Sequence, residues 1–326
     1  MFGEIAGKLD RHFFTGHFLP SLFFIALNVV LDYAKFLHIG LFPTLNKFGL
    51  AWGITLISTA SLFGGFLLAV LNRSIIRLFE GYPLKESRIF SFLSTCQRRK
   101  WHKINDPLNR LMAEYQTLQS ENEEDPRSTD MLLEITRLQH IANNFFPPEP
   151  EYVLPTRLGN AIRAFEYYAN ERYGIDPITL WSRLLSVIPE EFLNIIKDTI
   201  ASFNFLINLV LIVLLLGLEL LILPPYGNLE WRLLGVLGSL IISYLLYREA
   251  VKQAVAWGYN FNAAFDLYRR DLLKQLGFHP PSTLEKEKEL WTKIMQFIRF
   301  KSTKGLKFNS DNFKGKKRRS RIYEKS

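Results

Sequence analysis

Apolar and polar positions along this chain are gathered into long blocks instead of being mixed. Four stretches, approximately 13–31, 48–71, 203–223 and 232–248, are dominated by apolar residues. Each approaches or exceeds the roughly 20 residues a helix needs to cross about 30 Å of hydrocarbon. Between the second and third stretches the pattern changes to apolar residues spaced three and four apart, the mark of amphipathic helices. The expectation is an all-α integral membrane protein with four transmembrane helices, a cytosolic helical insert between spans two and three, and a long helical extension after span four. His17 and Pro20 interrupt the start of the first stretch, but its apolar run continues to Leu31 without a small-residue cleavage pattern. It is therefore read as a retained span and not as a signal peptide.

Inside the insert, Asp106 and Pro107 are read as an N-cap and first-turn pair opening a helix with Leu108, Leu111, Met112, Tyr115 and Leu118 on one face. The acidic break "ENEEDPR" precedes a second stripe of Met131, Leu132, Ile135, Leu138 and Ala142, so an antiparallel helical hairpin is predicted. Pro147, Pro148, Pro150 and Pro155 make the next run an extended connector. It leads into "LPTRLGNAIRAFEYYANERYGIDPITLWSRL", where Leu158, Ile162, Phe165 and Ala169 predict a helix ending at Gly174. Asp176 and Pro177 start a shorter helix carrying Leu180 and Trp181.

No breaker lies between Pro189 and Leu223, so one helix of roughly 50 Å is predicted to run from the insert through span three. Val251, Ala254, Gly258, Phe261, Phe265, Tyr268 and Leu272 extend span four in the same way for about 40 Å. The segment "LEKEKELWTKIMQFIRF" has an apolar face suited to a membrane surface or to a dock on the rest of the protein. The divisions that follow are 1–79, an N-terminal transmembrane hairpin; 80–190, the insert with an interfacial elbow at 154–189; 191–277, a C-terminal hairpin with helical extensions; and 278–326, an amphipathic helix and basic tail.

Charge adds orientation. The short connectors between spans one and two, and three and four, carry few Lys or Arg, whereas the insert and both ends carry many. This bias places both termini and the insert in the cytosol of a multi-pass protein of the cytoplasmic (inner) membrane. Residues 301–326 hold ten Lys or Arg against Asp311 and Glu324, a net of +8 out of the chain's +9. Anionic lipid headgroups are the expected partner of that tail, with nucleic acid the less favoured one. The single cysteine, Cys96, leaves no room for a disulfide framework or a cysteine-rich zinc site.

The chemistry-bearing motifs are few. There is no phosphate-binding loop, dinucleotide fingerprint, HExxH or G-x-S-x-G, and no cofactor is expected. Polar residues inside apolar spans carry a cost and invite a reason. Asn28 and Asp32, four apart in span one, and Asn204, Asn208 and Glu219 along span three form a candidate polar path, with hydrogen bonding between helices as the plainer alternative. Arg157, Arg163, Glu166, Arg172, Asp176, Trp181 and Arg183 form a candidate elbow or gate ahead of span three, read as ion pairs and headgroup contacts. The small residues Gly49, Gly53, Ser61, Gly65 and Ala69 in span two, and Gly235, Ser239 and Ser243 in span four, are read as tight helix contacts.

The segments "LPTRLGNAIRAFEYYANERYGID", "LWSRL", "AAFDLYRRDLLKQLG" and "FFTGHFLPSLFF" resemble a group of uncharacterised bacterial four-span membrane proteins. That resemblance implies topology and brings no activity with it. In outline alone, the two-plus-two arrangement of spans is similar to bestrophin-type anion channels. The leading expectation is a homo-oligomeric ion channel or pore with a cytosolic helical vestibule, and no enzyme activity. The alternative is a membrane-anchored scaffold or sensor that recruits a cytosolic partner. A lipid enzyme would require Arg157, Arg163, Glu166 and Asp176 to converge in one pocket near the headgroups.

Overall fold

The computed structural model describes residues 11–33, 49–84, 87–121, 126–222, 229–302 and 304–306. Among them every regular element is helical and no strand occurs. We label the helices α1 (Arg11–Tyr33, with a π-helical turn at Phe14–Phe18), α2 (Leu50–Glu80), α3 (Arg88–Glu121), α4 (Arg127–Phe145) and α5 (Arg157–Tyr173). They continue with α6 (Pro177–Leu184), α7 (Glu190–Ile222), α8 (Leu229–Gln275) and α9 (Leu284–Phe300). Helices α1, α2, α7 and α8 are long and apolar enough to cross a membrane. Residues 307–326 of the basic tail, for which headgroup binding is expected, lie outside the described residues.

The third span is the most enclosed of the four and organises the others. Its neighbours α1 and α8 lie along it, and α2 closes against α1. The small residues serve these contacts: Gly64 and Gly65 of α2 face Ser21 and Phe18, while Gly217 of α7 faces Ser239 of α8. Without a hydrophobic drive to associate in lipid, helices gain chiefly by close packing at such positions. The outward faces stay apolar, as Phe63 at 72% and Val70 at 79% exposure on α2 show, with Leu237, Ile241 and Leu245 along α8.

Beyond the spans, α7 and α8 run on together as uninterrupted helices of 33 and 47 residues, about 50 and 70 Å long. The predicted α3–α4 hairpin is present, with Leu108, Ile135, Leu138 and Ala142 in its core. Its first helix, however, opens at Arg88 and not at Asp106, and Pro107 sits in the helix interior. The upstream Trp101 and Ile104 continue the Leu108 and Leu111 stripe, so packing outweighs the roughly 3 kcal/mol an interior proline costs. Asp106 caps nothing; its carboxylate faces His102 Nδ1 at 3.2 Å, and Trp101 Nε1 donates to the Pro147 carbonyl at 2.9 Å.

Helix α5 is the central strut of the extramembrane part. Leu158, Ala161, Ile162, Phe165 and Ala169 are each 5% exposed or less, covered by α8 and its neighbours. The amphipathic segment at α9 docks on this core through Trp291, Ile294 and Met295. A buried ion pair, Arg269 Nε to Glu287 Oε1 at 2.8 Å, closes the dock, with the Arg269 guanidinium 3.9 Å above the Tyr173 ring. Gly174 makes the approach possible. Its φ is +68°, and a Cβ there would stand 2.8 Å from Thr292 Oγ1.

Candidate functional site

The intramembrane polar residues meet along the α1–α7 seam. The π-helical turn, in which the Leu19 N–H reaches back five residues to the Phe14 carbonyl, widens α1 at Gly16 and His17. Asn208 fills the opening: its Nδ2 donates to the Gly16 carbonyl at 2.8 Å and lies 3.1 Å from His17 Nδ1. Both amide protons then have acceptors, an arrangement that places the proton of neutral His17 on Nε2. Asn204 lies one turn earlier on α7, and a Cβ at Gly16 would meet its Cβ at 3.3 Å. Further along, Asn28 donates a hydrogen bond to Glu219 and also bonds the Phe24 carbonyl at 3.1 Å. Asp32 is buried at the end of the same helix. Of the candidate path residues, Asn208 and Asn28 thus hydrogen-bond from helix to helix within a single chain, while the side-chain oxygen of Asn204 is buried without a hydrogen-bond partner.

Where α2 leaves the apolar zone, it meets the start of α5. Glu80 is buried beside the charges of Arg77, Arg163 and Glu166. Arg163 Nη2 donates to the Tyr82 hydroxyl, Arg163 Nη1 lies 3.6 Å from Glu166 Oε2, and the Arg77 guanidinium stacks 4.8 Å over the Tyr82 ring. Burial pushes the Glu166 carboxyl above its usual range, Arg163 opposes this, and Asp176 adds to it. The connector is locked to α5 by Asn160, which is fully buried. Its Oδ1 accepts from the Leu154 N–H at 2.6 Å and its Nδ2 donates to the Leu154 carbonyl at 3.0 Å. Thr156 caps α5 through the Gly159 N–H, and the Leu158 N–H donates to Tyr247 Oη on α8 at 3.0 Å.

The remaining elbow residues take separate partners. Arg157 lies 4.7 Å over the Phe145 ring, Arg172 lies 4.9 Å over Tyr168, and Arg183 donates to the Thr179 carbonyl of its own helix at 3.0 Å. Trp181 stacks on Phe261 of α8 with ring centres 4.6 Å apart, on the inner side of the bundle. Asp176 caps α6 through the Ile178 N–H at 3.2 Å and accepts from Thr179 and from Arg299 of α9. Burial opposes ionisation of Asp176, but the hydrogen bonds from Thr179 and Arg299 outweigh it and hold the carboxyl below its usual range. Arg163 and Glu166 are therefore brought together, while Arg157 and Asp176 engage other elements.

A cavity of about 600 Å³ lies among α3, α4, α5 and α8. Amides of Asn105, Asn143, Asn144 and Asn262 line it, with Tyr168, Tyr259, His140, Glu171, Arg172 and Asp266. Asp266 accepts from Tyr168 Oη at 2.9 Å and Tyr173 Oη at 2.6 Å, which fixes the carboxylate at one wall. Asn262 Oδ1 is buried without a hydrogen-bond partner. Burial raises the Glu171 carboxyl above its usual range, with nearby Glu149 adding to the effect and Lys288 and Arg172 opposing it. The wall thus offers amide, phenol, carboxylate and guanidinium groups to one solute.

Sequence reading reached Arg172 of this cavity but neither Asn262 nor Asp266, because their shared wall is assembled from four helices distant along the chain. Asn160 was missed for another reason, since a single asparagine in an amphipathic pattern reads as a surface residue. Among the described residues no group of three or more His, Cys, Asp or Glu side chains could hold a metal ion. No family model, no curated protein and no solved structure matches the chain. What remains of the resemblance noted above is an all-helical plan with four candidate spans.

Proposed function

We propose that this is a membrane-anchored sensor or scaffold, whose cytosolic helical domain takes up a small polar solute and relays its presence along the helices that enter the membrane. The observation that supports this reading is the place of the amide-rich cavity. Tyr259, Asn262 and Asp266 project from α8, the same unbroken helix that supplies span four. Tyr259 lies 12 residues past Tyr247, about 18 Å along that helix. A solute bridging α4, α5 and α8 would bias their packing, and α8 would carry the change without an intervening hinge. The mix of acceptors and donors suits a polyol or a zwitterion more than a hydrocarbon.

The intramembrane residues enter this proposal as fasteners. Asn208 has its amide protons committed to Gly16 and His17, and Gly64, Gly65 and Gly217 are occupied by packing within the chain. A pore is the second reading. It is favoured by the broad apolar faces of α2 and α8, which copies of the chain could share around a conduction path. One preparation of full-length protein in lipid nanodiscs and liposomes tests both. Polyols and amino acids are screened for a thermal shift in wild-type protein and in Asn262→Leu, while mass and ion flux are measured in parallel. A solute whose shift is lost in Asn262→Leu supports the sensor reading; no such solute, together with an oligomer whose flux changes in Asn208→Ala, overturns it in favour of the pore. A strictly monomeric and silent protein removes the pore.

A further inference from the structure

A second cavity is more apolar than the first. It is a groove of about 340 Å³ between α3, α4 and the start of α5, with Ile104, Ile141 and Phe145 as its apolar floor and Lys100, Lys103 and Arg157 at its rim. No carboxylate lines it among the described residues. All three rim cations are exposed, and the guanidinium of Arg157 lies 4.7 Å over the Phe145 ring. Apolar surface below and unopposed positive charge above describe a receptor for an amphiphilic anion.

The groove stands where such a ligand would be found. Arg157 opens α5 directly after Thr156, and the next residue, Leu158, donates its N–H to Tyr247. Tyr247 closes the apolar part of span four and is followed by Arg248. Thr156 and Pro155 also pack on Gly81 at the end of α2. Arg157 therefore belongs to the layer in which spans two and four emerge, level with headgroups. The opening turns of α3 add exposed Ile89 and Phe92, at 59% and 68%, beside the basic run that follows. Amphipathic helices with this composition rest at the lipid surface.

We infer that the α3–α4–α5 groove binds an anionic glycerophospholipid of the adjoining leaflet, its phosphate held by Lys100, Lys103 and Arg157 and the upper part of one acyl chain lying on Ile104, Ile141 and Phe145. The inference is independent of the solute cavity. A bound lipid would tie the insert to the membrane and brace the hairpin that walls that cavity.

The experiment uses full-length protein in a neutral detergent, with binding read by native mass spectrometry during titration with phosphatidylglycerol, phosphatidylcholine or inorganic phosphate. The expected result is preferential retention of phosphatidylglycerol, lowered at least roughly tenfold in Lys100→Gln/Lys103→Gln. Arg98→Gln/Arg99→Gln removes equal charge from exposed positions outside the groove and should retain the lipid. The basic tail is common to all three proteins and cancels. A variant-free arm uses a photoactivatable phosphatidylglycerol, whose adducts should fall on Ile104, Ile141 or Phe145. Equal binding of the two lipids, equal losses in the two double variants, or adducts confined to α2 and α8 would each overturn the proposal. Inorganic phosphate that competes as well as the lipid would also overturn it, leaving a simple anion site.

Discussion

Replacing Asn160 probes the joint on which the extramembrane part hangs. Its side chain is 0% exposed and satisfies both the N–H and the carbonyl of Leu154, itself 8% exposed. In Asn160→Ala the two backbone groups stay buried and lose their partners. Each orphaned group costs about 1–3 kcal/mol, so the joint should lose roughly 2–5 kcal/mol. For a chain of 326 residues that corresponds to a fall in melting temperature of roughly 3–7 °C. Asn160→Asp is the sharper perturbation. It keeps the acceptor for the Leu154 N–H but sets a second oxygen against the Leu154 carbonyl, so it should be at least as damaging as alanine despite its matching shape. Purified full-length proteins in one detergent, melted with tryptophan fluorescence as the signal, give the comparison. Asn194→Ala, on an exposed face of α7, serves as the control. If Asn160→Ala melts within about 0.5 kcal/mol of the wild type, or Asn160→Asp melts with it, the clamp does not hold the connector as described.

Two further predictions concern charge. Removing one partner of the Arg269–Glu287 pair, at 11% and 4% side-chain exposure, should cost about 3–5 kcal/mol, whereas Arg269→Met with Glu287→Leu should recover most of the loss in thermal melts. A double variant as unstable as either single one would mean that the hydrogen bonds around Arg269, and not the isolated charge, hold α9 in place. At Glu166 the sign follows from linkage. Its folded-state value is raised above the ordinary 4.5, so the folded protein binds the proton more tightly than the unfolded chain does. That contribution to stability is full below 4.5 and is lost as pH rises through the raised value. Glu166→Gln, which cannot ionise, should melt above the wild type at pH 7–8, with the advantage shrinking toward pH 4. An advantage that does not change with pH would sink this assignment.

The spans, the hairpin, the Gly174 stop and the Asp176 cap were legible in the residues because each depends on local periodicity or on one turn of backbone geometry. The start of α3 was not legible, because a proline that locally favours a first turn was overruled by Trp101 packing several residues upstream. Asn204, Asn208 and Glu219 could be placed on one side of span three, and Asn28 with Asp32 on one side of span one, by spacing. Their partners could not, since the π-helical turn that frees the Gly16 carbonyl has no signature in the apolar pattern.

The same division runs through the candidate sites. The sequence by itself determined the all-helical character, the number of candidate spans and the continuity of α7 and α8, because burial of long apolar runs and the absence of breakers leave a chain few other choices. Only the tertiary structure decided that α5 is a buried strut, that α9 docks on it, and that Asn262, Tyr168 and Asp266 share one cavity. It likewise decided that Arg157 of α5 joins Lys100 and Lys103 of α3, distant from it in the chain, at the rim of one apolar groove. Periodicity tells which face of a helix seeks cover. Which neighbour covers it, and which polar groups are thereby brought within reach of one another, follows from packing several helices at once.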